Sequence, residues 1–174
     1  TATVLQSQLG IEKGIAFDVQ AVCSGFVYGV TIADSLLKTG QGKKALVVGA
    51  EVFSRILDWS DRSTCVLFGD GAGAIVLDTI EIEKNLSKRG VISSILRSDG
   101  RMHDALYVNG GPGTTKNSGY VKMDGKEVFK HAVINMSSVV TELLKSLSIS
   151  IEQIDWLVPH QANKRILDST AKKL

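Results

Sequence analysis

From Ala21 to Ala33 the chain contains no Asp, Glu, Lys or Arg, and the first charge after that stretch is Asp34. A helix of such composition has almost no face suited to water, so the stretch predicts a helix buried on most sides, with Gly40 as the residue just past its end. Ahead of it, Ile15-Ala16-Phe17-Asp18-Val19 reads as a short strand, and behind it Ala45 to Gly49 reads as a strand covered on both faces. Strand, helix and strand in that order predict an α/β chain with a parallel sheet and a right-handed crossover.

The remaining punctuation extends this pattern. Thr1 to Leu9 reads as a helix end closed by Gly10, Ala74 to Leu77 as a strand after the run Gly69-Asp70-Gly71-Ala72-Gly73, and Val91 to Arg97 as another strand. A glycine-rich loop region is expected through about Gly125. Glu127 to Leu147 then carries Phe129, Ala132, Met136, Val140, Leu143 and Leu147 at helical spacing. Ile154 to Val158 reads as a buried strand, and a last helix sets Ile166, Leu167, Thr170, Ala171 and Leu174 inward against Lys164, Arg165, Asp168 and Lys172. The charged segment from Ile80 to Gly90 looks like a connection, which divides the chain into expected halves of residues 1–86 and 87–174.

Composition narrows the function. Hydrophobic residues make up 44% of 174, the net charge is +2, and no block of Lys and Arg occurs, so neither disorder nor nucleic-acid binding is expected. No apolar run reaches the ~18 residues of a membrane span, and the first residues lack the pattern of a signal peptide, which points to a cytoplasmic protein. The two cysteines, Cys23 and Cys65, have neither C-x-x-C pairing nor histidines at ligand spacing, so no metal is expected. The absence of an initiator Met and of a cap after Leu174 reads as a piece of something longer.

Two residues stand where chemistry is expected. Cys23 lies at or near the start of the buried helix, where the dipole and unpaired N–H groups favour thiolate, and Ser24 and Gly25 leave room around the sulfur. The bland alternative is a small buried hydrophobe. His160 follows Pro159 at a strand end and precedes Gln161 and Asn163, so it can donate a hydrogen bond, act as a base, or simply sit at the surface. Ligands of open α/β sheets gather at the carboxyl ends of strands, where the two could meet. Cys65, His103 and His131 read as structural. GDGAGA lacks the following helix and Lys-Ser/Thr of a phosphate loop and reads as a tight crossing poor in side chains. Papain-like spacing is matched by the 137 residues from Cys23 to His160, but the C-G-S/A-C-W/Y signature of that class is absent.

Three long motifs resemble a known family. DVQAVCSGFVYG around Cys23, VLFGDGAGAIVL at 66–77 and DWLVPHQANKRI at 155–166 are similar to β-ketoacyl-[acyl-carrier-protein] synthase III, the initiating condensing enzyme of bacterial fatty-acid synthesis. The resemblance runs through essentially the whole chain, which covers only about half of such a protein. It implies a thiolase-like fold, two similar α/β halves in αβαβα layers, working as a homodimer without metal or redox cofactor. Under it Cys23 is the acyl-accepting nucleophile and His160 a member of a Cys-His-Asn set whose Asn lies beyond Leu174. Arg62 corresponds to the arginine near the nucleotide end of coenzyme A. Gly125, Phe129, Ala162 and Asn163 line the pantetheine channel, and Phe68 forms a wall of the primer pocket. Lys130, Arg165, Lys172 and Lys173 form a basic patch for the acidic carrier protein. The seven-residue spacing of Arg165 and Lys172 places both on one helix face, which independently supports such a patch.

The substrates this implies are an acyl-CoA, most simply acetyl-CoA, and malonyl-[acyl-carrier-protein]. Two other readings stay open: a related condensing enzyme of polyketide-starter or hydroxymethylglutaryl-CoA synthase type, and an inactive fragment if the chain exists alone.

Overall fold

A computed structural model describes residues 1–80 and 89–174. Most of the charged connection, and with it the expected boundary at residue 86, lies outside the described residues. Helix α1 (Ala2–Gln8) ends at Gly10 with φ +68°, and α2 (Gly25–Lys38) is followed by Gly40 with φ +76°, so both predicted stops are left-handed glycines. Strand β1 (Lys44–Glu51) pairs with β2 (Gly71–Asp78). The Lys44 ammonium lies 2.9 Å from the Asp78 carboxylate, and the Thr79 N–H donates to the Lys43 carbonyl. The start of β1 therefore faces the end of β2, and the pair is antiparallel.

The predicted strand at residues 15–19 has no ladder; Ile15 and Phe17 are exposed, while the Asp18 carboxylate accepts from the Ala2 N–H at the start of α1. The expected parallel pair is consequently not formed. Residues 91–97 and 154–158 are also irregular, with Trp156 and Val158 each 85% exposed. A run of apolar residues becomes a strand only when a neighbour takes its N–H and C=O groups, and the described residues offer these segments none. The same lack leaves α2 less covered than its composition predicts: Ala33 and Leu37 are buried, but Phe26 and Val27 are exposed.

Within the glycine-rich region the structure adds a hairpin, β3 (Leu106–Val108) antiparallel to β4 (Val121–Met123), with Leu106 opposite Met123. Its connection holds Gly110 and Gly119 so close that a Cβ on Gly119 would stand 2.3 Å from the Gly110 nitrogen. The predicted long helix is α3 (Gly125–Leu147), and the last is α4 (Lys164–Ala171), which lies against α3 with Ile166 and Thr170 buried. Ala171, expected inward, is exposed.

The chain gathers into two compact units, residues 1–50 with 72–94 and residues 51–71 with 95–174. In the first, α2 comes down on β1 where side chains are smallest. A Cβ on Gly29 would lie 3.0 Å from Val47 Cγ1, and one on Gly49 would lie 3.4 Å from the Phe26 ring. In the second, the buried residues include Leu57, Thr64, Val121, Val133 and Ile166.

Candidate active site

Cys23 belongs to the first unit, in a 3₁₀ turn, Val22–Ser24, that leads directly into α2. The thiol-bearing residue is exposed rather than a buried hydrophobe. Its backbone setting carries strain: Val22 holds φ +47°, a left-handed conformation that costs a Cβ-bearing residue roughly 1–2 kcal/mol and is least suited to a β-branched one. Neither the turn nor α2 has a side-chain N-cap. A Cβ added to Gly25 would meet nothing within 4 Å, so space stands open beside the sulfur-bearing turn. Val22 was not legible as a site residue, because nothing in a valine signals positive φ.

The second unit holds the other residues. Its excursion, residues 51–71, is closed at the base by Asp70, whose carboxylate accepts from the Ser54 N–H at 2.7 Å and from the Ser54 hydroxyl at 2.6 Å. Phe53 stacks face to face on Phe68, ring centroids 4.8 Å apart. Arg62 is exposed and directly follows Asp61, in a turn where Asp58 accepts from the Ser60 hydroxyl and Asp61 from the hydroxyls of Ser63 and the buried Thr64. Those hydrogen bonds, led by the serine hydroxyls, hold the Asp58, Asp61 and Asp70 carboxyls below the ordinary carboxylate value. From Gly71 onward the GDGAGA run is the beginning of β2. Ser54 and Phe53 were missed because their partners lie 15 or 16 positions along the chain.

Around α3 and α4 the predicted residues cluster. Asp124 caps α3 through the Lys126 and Glu127 N–H groups, with exposed Gly125 as the first helical residue. Asn163 caps α4, its Oδ1 accepting from the Ile166 N–H at 3.0 Å. Its side-chain oxygen thus has a structural partner besides any channel role. Phe129 is half-buried, and the Arg165 guanidinium carbon lies 5.4 Å from its ring centroid. Lys130 approaches Glu127 at 3.6 Å, and His131 approaches the same carboxylate at 3.2 Å. Lys172 is the C-cap of α4, and Lys173 borders a groove with Ser137, Ser138, Thr141 and Lys145. Just before α4, His160 is exposed, its carbonyl accepting from the Ala162 N–H, and Gln161 donates to the Pro159 carbonyl. Among the described residues, no group of three or more His, Cys, Asp or Glu could hold a metal ion, and no helix is long and apolar enough to cross a membrane.

This mixture of helices and short strands aligns over 99% of its length with solved 3-oxoacyl-[acyl-carrier-protein] synthase III structures at TM-scores of 0.86 and 0.87, and is the thiolase-like α/β fold in part. Residues 17–100 match the family 3-oxoacyl-[acyl-carrier-protein] synthase III, and residues 144–174 match its C-terminal part. The whole chain is 62% identical to the β-ketoacyl-[acyl-carrier-protein] synthase III of Rhodospirillum centenum and 59% identical to that of Erythrobacter litoralis, covering 54% of each. Of solved structures, the 3-oxoacyl-[acyl-carrier-protein] synthase III of Aquifex aeolicus aligns over 99% of this chain and 52% of its own, with TM-score 0.86 and 41% identity. A priming β-ketosynthase of the R1128 polyketide pathway aligns with TM-score 0.83 and 28% identity, again over 99% of this chain and 51% of its own. The chain belongs to the β-ketoacyl-[acyl-carrier-protein] synthase III family and spans about half the length of the curated relatives it matches.

Proposed function

We propose that the full-length protein joins an acyl-CoA primer, most simply acetyl-CoA, to malonyl-[acyl-carrier-protein], beginning fatty-acid synthesis. The observation that carries this reading is the exposed Cys23 on its strained, uncapped turn, in a chain 62% identical throughout to a relative of that name. The Cys23 sulfur attacks the thioester carbonyl, the C–S bond to coenzyme A breaks, and the free thiol of coenzyme A leaves with the cysteine proton. Malonyl-carrier protein then loses CO₂. His160 donates a hydrogen bond to the thioester oxygen as negative charge develops there, with an Asn beyond Leu174 as the second donor. The new carbanion attacks the acyl-cysteine carbonyl, a C–C bond forms, and the Cys23 thiolate is released. Polyketide-starter chemistry is the less favoured reading, because identity is only 28% to the R1128 ketosynthase.

The flanking roles follow the same reading. Arg62 meets the nucleotide end of coenzyme A; Gly125, Phe129, Ala162 and Asn163 line the pantetheine channel; Phe68 bounds the primer pocket. Lys130, Arg165, Lys172 and Lys173 receive the carrier protein. The protein is a cytoplasmic homodimer whose two α/β halves divide near residue 86. Sedimentation of the full-length protein at a monomer mass would remove the dimer. The central test uses labelled acetyl-CoA with the full-length protein: label is expected on the Cys23 peptide alone and is lost in Cys23→Ala, with condensation falling on the order of 10⁴-fold or more. Label elsewhere, or label retained in the variant, overturns the assignment.

A further inference from the structure

The first two residues of α4 are both cations, Lys164 and Arg165, at the end of a helix whose dipole disfavours positive charge. The two are handled differently. The Lys164 ammonium is neutralised one turn along, 2.6 Å from the Asp168 carboxylate. Arg165 forms no ion pair with a carboxylate among the described residues; instead its guanidinium lies over the face of Phe129. Phe129 is fixed in turn. It stands one turn into α3 behind the Asp124 cap, half-buried, with Val133 buried four residues on, while the Asn163 cap fixes the start of α4, which lies against α3.

A ring face holds a guanidinium in place but uses none of its N–H donors, which stay available in a fixed plane for an outside carboxylate. A carboxylate in the place of Phe129 would hold the group equally well and consume those donors. We propose that Phe129 is a positioning residue for carrier-protein docking: it presents Arg165 preoriented to an acidic side chain of the incoming carrier protein, so that carrier affinity depends on the ring through the arginine. The inference rests on the carrier-docking role given to Arg165 above and adds to it a second residue, one assigned there only to the channel.

The test is a double-mutant cycle on the full-length protein, with binding of purified apo-carrier protein, which lacks the pantetheine arm and makes no use of the channel, measured at low and at high salt. Arg165→Met weakens binding at low salt; an unchanged affinity there overturns the docking role of Arg165 and with it this inference. Phe129→Leu weakens binding about two- to fivefold, the size of one cation–π contact, and Phe129→Trp restores it. In the Arg165→Met background, Phe129→Leu adds no further loss of carrier affinity. If the two losses multiply, or if Trp fails to restore binding, Phe129 does not act through Arg165, while the docking role of Arg165 stands. Thermal unfolding of each variant, and acylation by acetyl-CoA, separate misfolding and channel damage from the carrier effect, since neither of those would vanish on removing Arg165.

Discussion

The two helix starts that carry the proposed chemistry are built in opposite ways. Before α4, Asn163 caps the helix and relaxed backbone leads from Pro159 through His160. Before α2, the turn at Cys23 has no side-chain cap, and Val22 is forced to φ +47°. A cap lowers the free energy of a helix start and occupies its N–H groups; an uncapped, strained start does neither. The proposed donor, His160, therefore precedes a capped helix start, and the proposed nucleophile, Cys23, an uncapped and strained one.

Mutations can break that contrast. After the loss expected for Cys23→Ala, the next largest effect is expected from His160→Ala, which removes one proposed transition-state donor: condensation falls ~10²–10³-fold while labelling of Cys23 by acetyl-CoA continues. If labelling stops as well, the two starts do not divide the reaction as proposed. Asn163→Ala, read by urea unfolding of the full-length protein, lowers stability by about 1 kcal/mol. Val22→Gly acts in the other direction, because glycine accepts positive φ: stability rises by ~0.5–1 kcal/mol after allowing for glycine's own entropy cost, and acylation of Cys23 slows. A loss of stability there would show that Val22 is held by packing rather than strained.

The smallest effect concerns a third start, the short 3₁₀ helix Gly100–Met102, capped by Asp99. Hydrogen bonds from the Arg101 side chain, then from its backbone N–H, hold the Asp99 carboxyl at about 2, against an ordinary 3.8. Because the folded value lies below the unfolded one, the stabilisation is complete above about pH 4 and disappears as pH falls towards 2. In Asp99→Asn that part of the acid dependence is absent. An NMR titration placing the Asp99 carboxyl near 3.8 would remove the effect.

How much could be read in advance varies with the range of the interaction. Gly10 and Gly40 as stops, α3 by its apolar spacing, and Cys23 at a helix start were all legible, because a cap, a left-handed glycine or an amphipathic stripe is written within a few residues. Family membership was legible from three motifs. The strands at 15–19, 91–97 and 154–158 were not correctly read for this chain: a strand depends on a neighbour distant in sequence, and their apolar composition alone does not supply one. The β3–β4 hairpin was missed for a related reason, since its glycine-rich connection obscured two three-residue strands.

The amino-acid order by itself determined which residues end helices, which face of α3 is apolar, and that Cys23 and His160 each precede a helix, since these follow from local sterics and periodicity. Only the tertiary structure decided that Val22 is strained, that Ser54 closes on Asp70 across sixteen residues, and that Arg165 rests on Phe129 rather than on a carboxylate. Each of those depends on which distant groups folding brings within a few ångströms, a choice made by packing and hydrogen-bond satisfaction over the whole unit.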